Sequence, residues 1–364
     1  MAATLSTSAP RPAGHPSART PGAETWIAPL DAARSAVLRV VGRPARRLLA
    51  DRDARVALYG SFGIVSAFAM ATLAPLWLLA LGPIVLGVPH LLADARYMVV
   101  RQGLHRRAGF WALVVLPLVL TFIHPQATTA FVAVLGATML ARGRQGDGTG
   151  GVWSTPGSYL RRSIVLAPAL GVTVICVRGG HTGDVVMAHM HNLAALAIWW
   201  AWAPRRTGGL RWVPLALFAA GGALLLGGAL DGASLASRGP GISLHEMVRT
   251  LSCVQDPRVG LRLVLFFAFA QSIHYAVWLR LVPEEDRPRP GLRSFQSSLR
   301  ALVGDLGWLP VIACALGVVG LTGWALLDPH AARLAYLRMA LFHGPLELAV
   351  VAILFIERRP LKTA

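Results

Sequence analysis

Lysine is almost missing from this chain: Lys362 stands alone among 35 basic residues. Acidic residues are also few, 17 in all, so the formal net charge is +18. In a soluble protein that charge would suggest nucleic acid. No basic face is interleaved with aromatics, however, and the arginines gather in short loops between apolar blocks, so no nucleic-acid partner is expected. Cysteine occurs three times, as Cys176, Cys253 and Cys314, with no CxxC and no Cys/His spacing of a zinc site. These cysteines read as small apolar fillers. The first 55 residues lack the short apolar core and small-residue cleavage site of a signal peptide, so the first membrane helix should itself direct insertion. The two halves of the chain show no internal repeat.

What is abundant is apolar length. Of 364 residues, 55% are hydrophobic and only 14% charged, the mean hydropathy is +0.55, and apolar blocks recur at about the length one helix needs to cross hydrocarbon. The expected fold is therefore an all-α integral membrane protein, a bundle of about ten transmembrane helices. The near-exclusive use of arginine points to a GC-rich coding sequence, and the expected location is a bacterial cytoplasmic membrane.

Residues 1–29, rich in Ala, Pro, Ser and Thr, read as a disordered tail. Residues 30–55 mix apolar residues with seven arginines, as suits a basic helix on an anionic cytoplasmic surface. A polytopic domain follows over 56–357, with a tail at 358–364. The ten spans fall at about 56–80, 83–100, 108–123, 126–141, 163–178, 184–203, 212–230, 260–281, 302–325 and 333–356. Gly82 and Pro83 read as a tight turn between the first two. With both termini cytoplasmic, the inside loops at 101–107, 141–162, 204–211 and 282–293 and the tail are all basic, whereas the outside segments at 124–127, 178–184, 231–258 and 328–333 are poorer in arginine. Within the outer segment, Ser243 and Glu246 form a capping box ahead of an apolar i, i+3, i+4, i+7 repeat, so a short amphipathic helix is expected at 243–253. Trp199, Trp200 and Trp202 read as an aromatic belt at the cytoplasmic interface.

The candidate site begins with His90 and Asp94, which are i and i+4 on one helix face inside an apolar run. Polar side chains at that depth usually face a protein interior. Three later spans supply partners: His189 and His191, Gln271 and His274, and His343 and Glu347. All four spans run in the same direction, and at about 1.5 Å of rise per residue these histidines reach one layer roughly 10–15 Å below the outer boundary. Four facing helices at one level are how a bundle builds a metal site. His189 and His191 point about 200° apart on a regular helix, so both cannot face one ion unless that helix breaks. His191 fits the layer by depth, with Asn192 beside it, and His189 stays an open alternative. Gln271, His274, Tyr275 and Trp278 share a face, while Asp94 and Glu347 either complete the ligand set or orient a histidine. The bland reading is a polar network in which each histidine bonds a carbonyl.

Imidazole with at most two carboxylates suits non-haem Fe(II) with a position open to O₂, and zinc fits the same donors. An apolar surround implies a substrate dissolved in the bilayer. GVPHLLAD at 87–94 resembles the Gly-x-Pro-His-Gly-x-x-Asp signature of the Brp/Blh family of bacterial membrane β-carotene 15,15′-dioxygenases, and IHYAVWLR at 273–280 is similar to a later helix of that family. Leu91 stands where the signature has glycine. The resemblance implies an iron-dependent, multi-span oxygenase that cleaves a carotenoid with O₂ to retinal, with His90 and His274 as iron ligands. Two other classes share the composition: a haem-binding electron-transfer protein, and a transporter with a polar relay. No helix carries two histidines at the spacing that stacks two haems.

Overall fold

The computed structural model describes residues 27–40, 42, 48–121, 127–142, 156–202, 209–235, 239, 241–287 and 291–359. The expected tail, much of the 141–162 and 204–211 loops, and residues 360–364 lie outside them. Among the described residues the chain is all-α, without a strand. In order, the helices that matter are α1 (Ala28–Val40), α2 (Arg52–Leu73), α3 (Pro75–Val100), α4 (Ala108–Leu120), α5 (Ala127–Leu140), α6 (Pro156–Gly179) and α7 (His181–Trp202). There follow α8 (Trp212–Leu226), α9 (Leu244–Leu251), α10 (Pro257–Glu285), α11 (Phe295–Leu306), α12 (Trp308–Leu327), α13 (Pro329–Ala340) and α14 (His343–Ile356). Among the described residues, seven stretches are long and apolar enough to cross a membrane: α2, α3, α6, Gly209–Leu226 (which contains α8), α10, α12 and the α13–α14 pair; α4 and α5 are shorter apolar helices. By that measure the chain is a multi-pass helical membrane protein.

Charge sorts the helix ends onto two faces. On one face Arg55 bonds Glu284 at 2.5 Å, Arg101 meets Asp286 at 3.2 Å and Asp305 at 3.0 Å, and Arg107 holds Glu357 at 2.6 Å. The Arg55–Glu284 pair is fully enclosed, so removing one partner would cost about 3–5 kcal/mol. On the opposite face α9 is capped by Ser243, which accepts from Glu246 N at 3.1 Å. Its apolar side, with Met247 buried, packs inward. Among the described residues, the ends of α2, α3, α10 and α14 thus share one charged layer. Much of the bundle's outer surface is apolar: Leu326 and Leu327 of α12 are 80% and 88% exposed.

Four expected boundaries shift. The first reversal is at Ala74 rather than at Gly82: α2 ends there, Pro75 opens α3, and Arg55 and Arg101 lie in the same ion-pair layer, so the two helices are antiparallel. Pro75 has no N–H to lose at a first helical position. Pro83 is instead absorbed within α3 by a π-helical turn, Pro83–Gly87. The ninth span starts at Trp308, not 302, because Gly307 (φ 81°) breaks the helix and Asp305 on α11 belongs to the ion-pair layer. The last span is interrupted at residues 341–342, between α13 and α14. The basic segment 30–55 is also not one helix. Asp51 is extended ahead of α2, and α1 docks on α11, whose first amides, Phe295 N and Gln296 N, donate to Asp31 at 2.7 and 3.1 Å. Finally, Trp199 is fully buried in the core rather than part of an interfacial belt, while Trp200 contacts Trp212 and lies under Arg211.

Candidate metal centre

α3 does not run as a regular helix through the site. The α-helical segment Val88–Asp94 is flanked by π turns at Pro83–Gly87 and Ala95–Val100, and on α10 a π turn at Val277–Leu281 follows His274 directly. Such turns widen the helix and misalign its carbonyls with the usual donors. The Gly87 carbonyl is used in this way: His90 Nδ1 donates to it at 2.5 Å. At the break between α13 and α14 the pattern repeats, with His343 Nδ1 donating to the Ala340 carbonyl. Two histidines on different helices are therefore held in the same tautomer by a carbonyl three residues earlier, each leaving Nε2 with its lone pair.

These lone pairs meet. His90, His274 and His343 each offer a ring nitrogen, and the three lie within 4.8 Å of one another. His191 completes the group: its Nε2 is 2.7 Å from His343 Nε2, and its ring centroid is 4.6 Å from His274. With His343 Nδ1 committed to Ala340, His191 Nε2 is the donor in that contact. The two carboxylates sit beside the rings, Asp94 Oδ2 at 3.7 Å from His90 Nε2 and Glu347 Oε2 at 3.7 Å from His191 Nδ1. Both distances exceed a hydrogen bond. No arginine pairs with either carboxylate among the described residues.

Small residues make the approach possible. A side-chain carbon at Gly87 would lie 2.1 Å from the Tyr336 hydroxyl, and one at Gly344 would lie 2.9 Å from His191 Nδ1. Tyr275 walls the site, its ring 4.8 Å from His90, with Trp278 of the same helix buried beside Glu347.

The fit to a divalent ion rests on groups left over. His90 Nε2 and both oxygens of Asp94 are buried without a hydrogen bond, and the ring nitrogens of His274 and the oxygens of Glu347 have none of good geometry, Trp278 lying nearest Glu347. Leaving so many polar atoms unsatisfied in one layer is costly. One divalent cation would engage the lone pairs and balance two carboxylates. These residues fit such an ion.

His189 stands apart. Its Nε2 bonds the Leu251 carbonyl at 3.1 Å and its ring packs on Phe267, so it ties α7 to the end of α9 instead of entering the cluster. The helix is unbroken there, and residues two apart point to different sides. Asn192 is buried with its Nδ2 unpartnered, and Gln271 is half-buried with no hydrogen bond to a described residue. Sequence reasoning passed over Tyr336, which backs Gly87, and Arg333 one turn earlier. Their signal is the i, i+3, i+7, i+10 spacing of Arg333, Tyr336, Ala340 and His343 along the route to the site.

No protein-family profile, no curated protein and no solved structure matches this chain.

Proposed function

We propose that the chain is a membrane-embedded non-haem iron oxygenase that acts with O₂ on an apolar substrate dissolved in the bilayer. The observation that carries this reading is the convergence of His90, His191, His274 and His343 with Asp94 and Glu347 at mid-bundle. In this reading the histidines hold Fe(II), the carboxylates balance its charge and orient His90 and His191, and Tyr275 and Trp278 keep water from that side. Bound there, Fe(II) would supply O₂ activation. Zinc suits the same donors but would not, so metal identity decides between oxygenase and hydrolytic chemistry. Carotenoid cleavage to retinal is the reaction implied by the resemblance at 87–94 and 273–280.

The same reading takes the ion-pair face as cytoplasmic, with both termini there and ten crossings in a bacterial inner membrane. Arginine-rich loops on that face support it. Against haem, the four imidazoles meet at centroid separations of 4.5–5.8 Å, largely edge to face, which leaves no flat slot for a macrocycle between them.

The test is metal analysis and an absorption spectrum of detergent-purified protein, followed by O₂ uptake with a polyene supplied in membranes. About one iron per chain, no Soret band and polyene-dependent O₂ consumption are expected. A folded protein that takes up no transition metal would overturn the reading.

A further inference from the structure

Arg333 lies on the stripe of α13 that leads from the outer end of the bundle to the histidine layer. Arg333, Tyr336 and Ala340 recur at i, i+3 and i+7, and the Ala340 carbonyl is the group that orients His343. The residue is 5% exposed. Its Nε donates to the Leu79 carbonyl at 3.0 Å, and its two terminal nitrogens have no hydrogen bond or ion pair with any described residue. They are nevertheless not among the sealed polar atoms, so both still touch accessible space. Glu246, whose charge acts on Arg333, is engaged by His330 Nδ1 at 3.3 Å. Asp94 and Glu347 belong to the metal layer below. A guanidinium almost wholly buried among apolar helices, with two terminal nitrogens that have no hydrogen bond or ion pair among the described residues, lacks a directly bonded anion.

The chemistry of the missing anion follows from shape. The guanidinium fork matches two oxygens in a plane. At 5% residue exposure there is little room beside Arg333, which favours a carboxylate over a bulkier glycerophosphate head. Ten residues separate Arg333 from His343, a rise of about 15 Å, so a molecule held by its head at Arg333 needs a long apolar tail to reach the histidines. Below Arg333 the hydroxyls of Tyr275 and Tyr336 approach each other, and Tyr275 touches His90. We propose that Arg333 binds the carboxylate of a long-chain acid whose tail extends toward the histidine layer, making an acid-headed apolar chain the substrate class. The head site stands on its own geometry, and only the tail's destination rests on the oxygenase reading.

The experiment is binding of radiolabelled palmitate to full-length protein in phosphatidylcholine nanodiscs, with unlabelled palmitate, methyl palmitate or lysophosphatidate as competitors, with and without added Fe(II). Wild-type protein should prefer palmitate to its methyl ester by about tenfold or more, as expected when a charge-assisted contact is lost. Arg333→Gln should abolish that preference without weakening ester binding, and Arg333→Lys should restore part of it. Equal binding of acid and ester by wild type would overturn the proposal, and that comparison needs no variant. Unchanged palmitate affinity in folded Arg333→Gln, or a preference for lysophosphatidate, would overturn it too. An Arg333-dependent preference for the acid in protein that binds no iron would sustain the head site while removing the oxygenase reading. Iron binding without that preference would do the reverse.

Discussion

His191 Nε2 lies 2.7 Å from His343 Nε2, although the two residues are 152 positions apart and belong to different helices. Gly344 makes the contact possible, since any larger residue would press on the His191 ring. The geometry brings two ring nitrogens to one point, where His191 Nε2 donates to the lone pair of His343 Nε2 by a proton that a bound cation would displace, with His90 and His274 closing the other side.

If that point holds iron, His90→Ala and His343→Ala should each abolish iron binding. Asp94→Asn should retain it with affinity lowered on the order of 10–100-fold and turnover impaired. The readout is iron per folded chain after purification in the same detergent. Unchanged content in the two alanine variants would make the cluster a structural polar network.

His189→Ala should leave metal content as in wild type. Its single hydrogen bond to the Leu251 carbonyl is worth about 1 kcal/mol, so the visible effect should be faster hydrogen exchange in α9. Loss of metal in this variant would return His189 to the ligand set.

Gly87→Ala drives a carbon into the Tyr336 hydroxyl, and the overpacking should cost about 1–3 kcal/mol and lower metal occupancy through the shifted Gly87 carbonyl. Adding Tyr336→Leu should recover part of both losses. Additive damage in the double variant would show that the two positions do not press on each other.

Cys253 is exposed near the end of α9 and should react with an impermeant maleimide applied to intact cells. In a Cys253→Ser background, Arg300→Cys on α11 should react only after permeabilisation. The reverse pattern would invert the proposed orientation.

Burial alone would push the Glu357 carboxyl up, but hydrogen bonds from Arg107, the Arg142 amide and Arg359 together hold it below the usual carboxylate range. Because its folded value is the lower one, its contribution to stability is fully present above the ordinary glutamate range. That contribution is lost as pH falls through the folded value. Thermal unfolding in detergent should therefore shift downward on acidification below about pH 4.5, and by less in Glu357→Gln.

The all-α class follows from composition, because a long apolar run can satisfy its backbone in hydrocarbon only as a helix. The capped helix at 244–251 was legible as well, since a Ser/Glu capping box and an apolar repeat act within two turns. Helical rise is fixed, so the depth of each histidine follows from where its helix starts, and for His90 that start lies at Ala74 rather than Gly82. Rotation is another matter. Whether His189 or His191 faces the cluster depends on which neighbours α7 packs against, and that choice lies in α9, α10 and α14. Likewise Ala74, not Gly82, reverses the chain, because a π turn absorbs Pro83 once Tyr336 packs against Gly87. The burial of Arg333 is likewise a matter of packing, since α13 carries it inward beside Leu79. Period and rise are written along the chain, whereas the direction in which each helix turns its polar groups is settled only by packing between segments far apart in sequence.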